Sequence, residues 1–180
     1  VPIRSSHMSM TLQTERLILR RPEPGDYGAY RSFMTSDRST LVGGPMTMGE
    51  AWRAFATELG HWELFGYGMW AVNVRGDNDA VGLVGPWTPE DWPETEIGWL
   101  ILDPKIEGTG IAFEAAKAAI AHAFDALNWR TAVSYIAPDN VRSIALAQKL
   151  GGRLDINATT PKSYGDCLVY RHPDPEGRRR

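Results

Sequence analysis

The 180-residue sequence has one cysteine, Cys167, and no excess of basic residues. A single thiol cannot form an internal disulfide, and it is consistent with a reducing, cytoplasmic compartment. No apolar run approaches the roughly 18 residues that a membrane-spanning helix needs. The formal net charge of -3 gives no reason to expect nucleic-acid binding, which usually requires a basic face. We therefore expect a cytoplasmic protein that binds neither membranes nor nucleic acids.

The chain length fits one domain, and neither an internal repeat nor a long linker divides it. We place this domain at residues 11–172. Residues 1–10, which include Ser5-Ser6-His7-Met8, are interpreted as an expression-tag remnant and lead segment. Residues 173–180 form a charged tail that we expect to be frayed. The four histidines share no metal-ligand spacing, so no metal site is predicted.

Hydrophobic periodicity predicts an α/β (α+β) domain. Helical spacing of apolar residues occurs from residue 26 to about 34, from 47 to about 65, from 111 to about 127, and after Asn140. Strands are expected at 12–21, 69–74, 80–85, 95–102, 131–136, 153–156 and 167–171. Prolines between residues 86 and 93 should interrupt regular pairing. Because strands occur before and after the long helix, a mixed sheet is favoured over an all-parallel one.

The stretch 102–112 leaves a strand, crosses a small-residue loop and enters an alanine-rich helix. Exposed loop amides and the positive end of a helix together form a site for a phosphate or pyrophosphate. Gly108 and Gly110 match the first two positions of the Gly-x-Gly-x-x-Gly dinucleotide-binding fingerprint. The third position is Phe113, whose bulk prevents the close helix–strand contact that glycine allows, so this alternative is disfavoured. No Gly-Lys-Ser/Thr follows, so a Walker loop is excluded as well.

The sequence resembles the GNAT acyltransferase superfamily in several motifs. Residues 107–112 (Glu-Gly-Thr-Gly-Ile-Ala) look like its Gln/Arg-x-x-Gly-x-Gly/Ala signature. The strand at 96–100 and the Asn-x-x-Ser-x-x-Leu helix at 140–151 are similar to the flanking elements. The segment 14–20 looks like the first strand of the ribosomal-protein N-terminal acetyltransferase branch. These matches cover most of residues 11–155 in the right order.

This resemblance implies a single domain with a mixed, mostly antiparallel central sheet flanked by helices. It also implies acetyl-CoA as a co-substrate whose pyrophosphate is bound by the glycine loop. Glu107 replaces the usual Gln or Arg, and we expect its side chain to turn outward or cap the helix. The predicted cofactor-binding residues are Leu100, Ile101, Leu102, Glu107, Gly108, Thr109, Gly110, Ile111, Ala112, Asn140 and Ser143.

The resemblance also suggests catalytic residues. Many relatives carry a tyrosine that protonates the departing thiolate, but this chain has Ala147 at that position. In the ribosomal-protein branch a serine matching Ser143 is proposed for this role, so Ser143 is the candidate general acid or thiolate hydrogen-bond donor. Glu96 is the candidate base, because a positioned carboxylate can take the amine's proton. Simpler roles remain open: Glu96 as a surface strand residue, Ser143 as a helix serine, and Asn140 as an N-cap.

The predicted function is transfer of an acetyl group from acetyl-CoA to a primary amine by direct attack. A protein N-terminus and a small amine are both open as acceptors. Trp87, Asp91 and Trp92 are predicted to border the acceptor entrance, where aromatic and acidic groups attract a cation. The alternative is a non-catalytic acyl-CoA-binding or sensor module. A homodimer is left open by the resemblance.

Overall fold

The computed structural model describes residues 11–175 and 177, which fold into one sheet and four α-helices. The strands are β1 (Leu12–Gln13), β2 (Leu17–Arg20), β3 (Trp70–Val74), β4 (Ala80–Trp87), β5 (Glu96–Ile101), β6 (Val133–Ile136), β7 (Arg153–Leu154) and β8 (Leu168–Arg171). The helices are α1 (Tyr27–Met34), α2 (Met48–Phe65), α3 (Ile111–Asp125) and α4 (Val141–Lys149). The predicted tag remnant at 1–10 lies outside the described residues, as do residues 176 and 178–180 of the predicted tail.

The strands lie in the order β1-β2-β3-β4-β5-β6-β8-β7. Neighbouring strands are antiparallel except β5 and β6, which run parallel. The prediction of a mixed, mostly antiparallel sheet is therefore confirmed. No helix within the described ranges is long and apolar enough to cross a bilayer.

The prediction of one continuous strand at 12–21 is wrong, because the structure divides this segment into β1 and β2. The two short strands pair with each other, with Leu12 opposite Leu19. Between them the backbone amide of Leu17 donates to the Thr14 hydroxyl at 3.1 Å, and the Thr14 amide donates to the Leu17 carbonyl at 3.1 Å. A local side-chain bond of this kind competes with strand pairing and closes a turn.

Strand β4 extends further than predicted and includes Pro86. Its pairing with β3 ends at Trp70 opposite Val84, whereas its pairing with β5 continues to Trp87 opposite Glu96. Beyond Val84 the strand therefore has a neighbour on one side only. A proline is tolerated there because its missing N–H falls on the unpaired edge.

Helices cover both faces of the sheet. On one face α3 contributes Ala115, Ala116, Ala119 and Ala123, each with no exposed surface. On the other face α1 and α2 pack against side chains of β3 and β4, including Ala71 and Leu83. The absence of bulk along α3 lets its backbone approach the strands closely, as the alanine-rich pattern predicts.

Replacing Ala119 by leucine should lower the free energy of unfolding by about 1–3 kcal/mol, because the extra methylene groups must displace close-packed neighbours. Chemical denaturation measures the change. Lys117→Leu on the exposed side of α3 is the matched control, with an expected change below about 0.5 kcal/mol. Equal stability of the two variants would contradict close packing of α3 on the sheet.

Candidate active site

The parallel strands β5 and β6 separate almost as soon as they meet. They are paired at Glu96 opposite Val133, and the Ser134 hydroxyl donates to the Ile97 carbonyl at 2.6 Å just beyond that point. A cavity of about 360 Å³ opens between the diverging strands and reaches α1 and α2. It is lined by Tyr30, Met34, Leu41, Val42, Met46, Ala54, Thr57, Glu58, Met69, Trp87, Trp92, Glu96, Ile97, Gly98, Trp99, Leu100, Ser134, Tyr135, Ile136, Asn140, Ser143 and Tyr164.

Glu96 lies at the vertex where the two strands part. Glu96 is 6% exposed, which excludes the alternative that it is a surface-facing strand residue. The Trp92 indole donates to one carboxylate oxygen at 2.5 Å, and the Tyr135 amide approaches the other at 3.4 Å. Burial raises the pKa of Glu96 to about 7, although both donors oppose the rise. A carboxyl group with this pKa can exchange a proton near neutral pH.

Glu58 is a second buried carboxyl group in the same cavity, and the sequence reasoning missed it. The residue lies on α2 and is 6% exposed. Burial, followed by the negative charge of Glu96, raises its pKa to about 8. A signal was present, since Ala51, Phe55, Glu58 and Trp62 follow helical spacing and all four are buried. An acid on the apolar face of a helix is unusual enough to mark a site.

Ser143 and Asn140 line the opposite end of the cavity, at the start of α4. The Trp99 indole donates to the Ser143 hydroxyl at 3.0 Å. This bond uses an oxygen lone pair and leaves the hydroxyl hydrogen available for donation. Asn140 accepts from the Ser143 amide at 3.2 Å, so it is the N-cap of α4. Ala147 is fully buried, so it presents no group at the cavity.

The glycine loop lies between β5 and α3. Gly108 and Gly110 have φ values of 74° and 82°, a left-handed conformation that favours glycine. The Glu114 amide makes the first bond of α3, to the Gly110 carbonyl at 3.0 Å. The preceding amides of the first helical turn therefore lack intrahelical acceptors and face the loop. This is the local geometry predicted for a phosphate cradle.

Glu107 bridges two arginines that the sequence reasoning did not include. One carboxylate oxygen pairs with Arg38 at 2.8 Å and the other pairs with Arg142. The hydrogen bond from Arg38 is the main reason that the pKa of Glu107 is lowered. Of the two predicted orientations of Glu107, the helix cap is not formed; the side chain turns to Arg38 and Arg142 instead. The two guanidinium groups outnumber the single carboxylate, which removes the expected repulsion between Glu107 and a pyrophosphate.

A third arginine, Arg16, also contacts the glycine loop. Arg16 donates to the Thr109 carbonyl at 3.0 Å and pairs with Glu114 at 2.6 Å. Glu114 also accepts from the Thr14 hydroxyl at 2.6 Å. These contacts join residues about 100 positions apart in the sequence, so no local pattern could have indicated them. They connect the turn before β2 to the first turn of α3.

The other predicted site residues either line the cavity or lie outside its lining. Trp87 and Trp92 line the cavity. Asp91 lies outside that lining and accepts from the Ser163 hydroxyl at 2.9 Å. The backbone carbonyls of Ile101 and Leu102 accept hydrogen bonds from Arg38 at 3.0 and 2.7 Å. Leu100 lines the cavity, whereas the Leu102 side chain packs with α1 and α2.

Within residues 11–175 and 177, no group of three or more His, Cys, Asp or Glu residues is arranged to hold a metal ion. Cys167 is half-buried, and burial raises the pKa of its thiol.

Comparisons with known proteins place this arrangement in a family. The family profile described as an acetyltransferase (GNAT) domain matches residues 16–153. An acetyltransferase from Agrobacterium tumefaciens str. C58 is 41% identical, with a TM-score of 0.84 over 91% of this chain and 94% of that chain. A GNAT-family acetyltransferase from Bacillus anthracis is 23% identical, with a TM-score of 0.71 over 91% and 96% of the two chains.

A further similar structure is RimL, a ribosomal L7/L12 alpha-N-protein acetyltransferase in complex with coenzyme A. It is 18% identical, with a TM-score of 0.71 over 91% of this chain and 97% of that chain. At this identity the likeness concerns the fold alone. The 41% identity to the Agrobacterium protein and the profile match carry the assignment. The resemblance predicted from the motifs is confirmed, and this chain belongs to the GNAT acetyltransferase family.

Proposed function

We propose that this protein transfers an acetyl group from acetyl-CoA to a primary amine. The observation that carries the proposal is Glu96, a buried carboxyl group at the vertex of the diverging strands, in one cavity with Ser143. A proton acceptor and a proton donor at two ends of a mostly apolar cavity suit direct attack by an amine on a thioester. The family supplies acetyltransferase chemistry as the general class.

The glycine loop is the proposed site for the pyrophosphate of acetyl-CoA. Gly108, Gly110, Ile111 and Ala112 offer backbone amides at the positive end of α3. Thr109 is kept in the proposed site by its position, since its amide donates to the Ile106 carbonyl at 3.2 Å. Arg16, Arg38 and Arg142 surround the loop with positive charge, although carboxylates neutralise part of it. This donor set fits a pyrophosphate. Leu100, Asn140 and Ser143 are proposed to contact the pantetheine arm, since all three line the cavity.

Bound acetyl-CoA supplies an activated thioester carbonyl and a thiolate leaving group. Glu96 accepts the proton that the attacking amine loses, directly or through one water molecule. Trp92 and Tyr135 orient this carboxylate through their hydrogen bonds. Ser143 protonates the departing thiolate through its hydroxyl and regains a proton from solvent, while Trp99 holds the serine oxygen in place. A backbone N–H near Ile101 is the proposed donor to the oxyanion.

The acceptor is proposed to enter beside Trp87 and Trp92. A small amine and a protein N-terminus both present the required nitrogen, and the name of RimL describes the second kind of substrate for that protein. Asp91 remains a candidate for attracting cations at the entrance, because its side chain is exposed outside the cavity. A cytoplasmic location and a homodimer are further proposals, the second of which sedimentation measurements can test.

The competing function is non-catalytic binding of acyl-CoA. It is favoured by Ala147, which lacks the hydroxyl that many relatives use at this position. The two functions differ in one measurable property, the release of free CoA thiol when an amine is added. Binding of acetyl-CoA without thiol release across a panel of small amines and peptides would favour the sensor.

Replacing Glu96 by glutamine should reduce kcat by about 10²–10⁴-fold, because the amide cannot accept the proton. In the unmodified protein kcat should rise with pH and level off above about 7, since Glu96 must be deprotonated to act. This rise of kcat with pH should disappear in the Glu96→Gln variant. Steady-state thiol release across pH measures both effects. An unchanged pH profile in Glu96→Gln would remove Glu96 from the mechanism.

Replacing Ser143 by alanine should reduce kcat by about 10–100-fold, since the departing thiolate loses its donor. Binding of acetyl-CoA, measured by calorimetry, should remain within about threefold, because the loop amides carry most of it. Ser32→Ala on the exposed surface of α1 is the matched control. If kcat of Ser143→Ala stays unchanged across pH, another group protonates the thiolate.

A further inference from the structure

The proposed mechanism leaves one buried carboxyl group without a task. Glu58 lines the cavity with Glu96, and its Oε2 atom is fully buried without a hydrogen-bond partner among the described residues. Burying an unpaired carboxyl oxygen opposes folding, so a buried acid that lines a cavity without a partner is a candidate to bind a ligand. A donor that arrives with the substrate would satisfy Glu58.

The charge of the cavity limits what that donor can be. Two carboxyl groups line it, and none of the described lining residues is Lys, Arg or His. A ligand that carries a positive charge complements such a wall. A ligand with a carboxylate next to its amine would meet two acids and no compensating cation in the described lining, which makes binding unfavourable.

Apart from Thr57, the rest of the lining on this side is apolar or aromatic. Tyr30 and Met34 come from α1, Val42 and Met46 from the segment before α2, and Trp87 from the end of β4. Apolar side chains of this kind bury a hydrocarbon body, and aromatic faces attract a nearby cation. The cavity thus combines one charged anchor with a hydrophobic wall.

We propose that Glu58 binds the ammonium group of the acceptor, and that the acceptor is an amine on an apolar body with no carboxylate beside the nitrogen. This inference rests on the proposed function, because it assigns the cavity to the acetyl acceptor. It gives the two acids different tasks: Glu58 anchors the arriving cation, and Glu96 accepts one of the two protons that the nitrogen loses on acetylation, while the other goes to solvent. Free α-amino acids are excluded as acceptors by the same arrangement.

Proton release accompanies binding in this arrangement. The pKa of Glu58, raised to about 8, keeps the free group mostly protonated at pH 7. When the ammonium arrives, the neutral acid becomes a carboxylate and its proton leaves to solvent. The other titratable groups that line the cavity are Tyr30 of α1, Glu96 of β5, Tyr135 of β6 and Tyr164 before β8. Burial raises the pKa of each tyrosine, so all three stay neutral.

Calorimetry with three matched probes tests the proposal: β-phenylethylamine, phenylethanol and phenylalanine. In the unmodified protein at pH 7 the amine should bind at least about tenfold more tightly than the alcohol or the amino acid. Titrations in two buffers of different ionisation enthalpy should show proton release with the amine alone. This comparison of probes needs no variant. Equal binding of the three probes, or no detectable binding of the amine, overturns the proposal.

The Glu58→Gln variant gives a sharper test, because glutamine keeps the shape of the glutamate side chain and removes its charge. The variant should bind β-phenylethylamine about 10- to 100-fold more weakly, and proton release should fall by about half or more. Glu63→Gln on the exposed side of α2 is the matched control, and it should bind like the unmodified protein. Undiminished amine binding by Glu58→Gln overturns the proposal.

Two further measurements test the protonation of Glu58 and the link between amine binding and acetyl transfer. Because burial favours protonated Glu58, the melting temperature of the unmodified protein should fall as pH rises from about 5 through 8, and the fall should be smaller in Glu58→Gln. Equal falls in the two proteins contradict the assignment of Glu58. Charge-dependent amine binding without acetyl-CoA-dependent thiol release would support this amine site while ending the proposed transfer reaction.

Discussion

The separation of β5 from β6 is the constraint on which the site depends. A sheet normally fills the space between neighbouring strands with hydrogen bonds, but here the strands are paired at Glu96 opposite Val133 and then part. The separation creates the cavity and places Glu96 at its vertex. It also directs the end of β5 to the glycine loop and the end of β6 to α4. One interruption in strand pairing therefore positions Glu96, the glycine loop and Ser143 together.

The two ends of the site have opposite electrostatic character. Around the glycine loop, arginines from distant parts of the chain meet two carboxylates, Glu107 and Glu114. Around the cavity, two carboxyl groups are buried with no cationic partner in the described lining. An anionic cofactor and a cationic acceptor are consequently favoured at different places. The protein separates its two proposed substrates by charge as well as by shape.

Local signals in the sequence predict the parts of the structure that neighbouring residues determine. The Thr47–Glu50 capping box, the Asn140 cap and the left-handed glycines of the loop are set within a few residues, and the structure contains all of them. No local pattern could predict that Glu96 is buried, because its surroundings include residues far along the chain such as Tyr135. Arg16 and Arg38 act through contacts with residues far along the chain. Glu58 was visible only as an acid among apolar helical positions.

The bridge from Glu107 to two arginines has a consequence for the affinity of the proposed cofactor site. Arg38 comes from the segment before α2 and Arg142 from α4, so the bridge fixes three separate segments around the loop. Their side-chain freedom is lost when the chain folds rather than when a ligand arrives. Such preorganisation lowers the entropic cost of association. Glu107 thus holds the proposed pyrophosphate site in an ordered arrangement before any ligand binds.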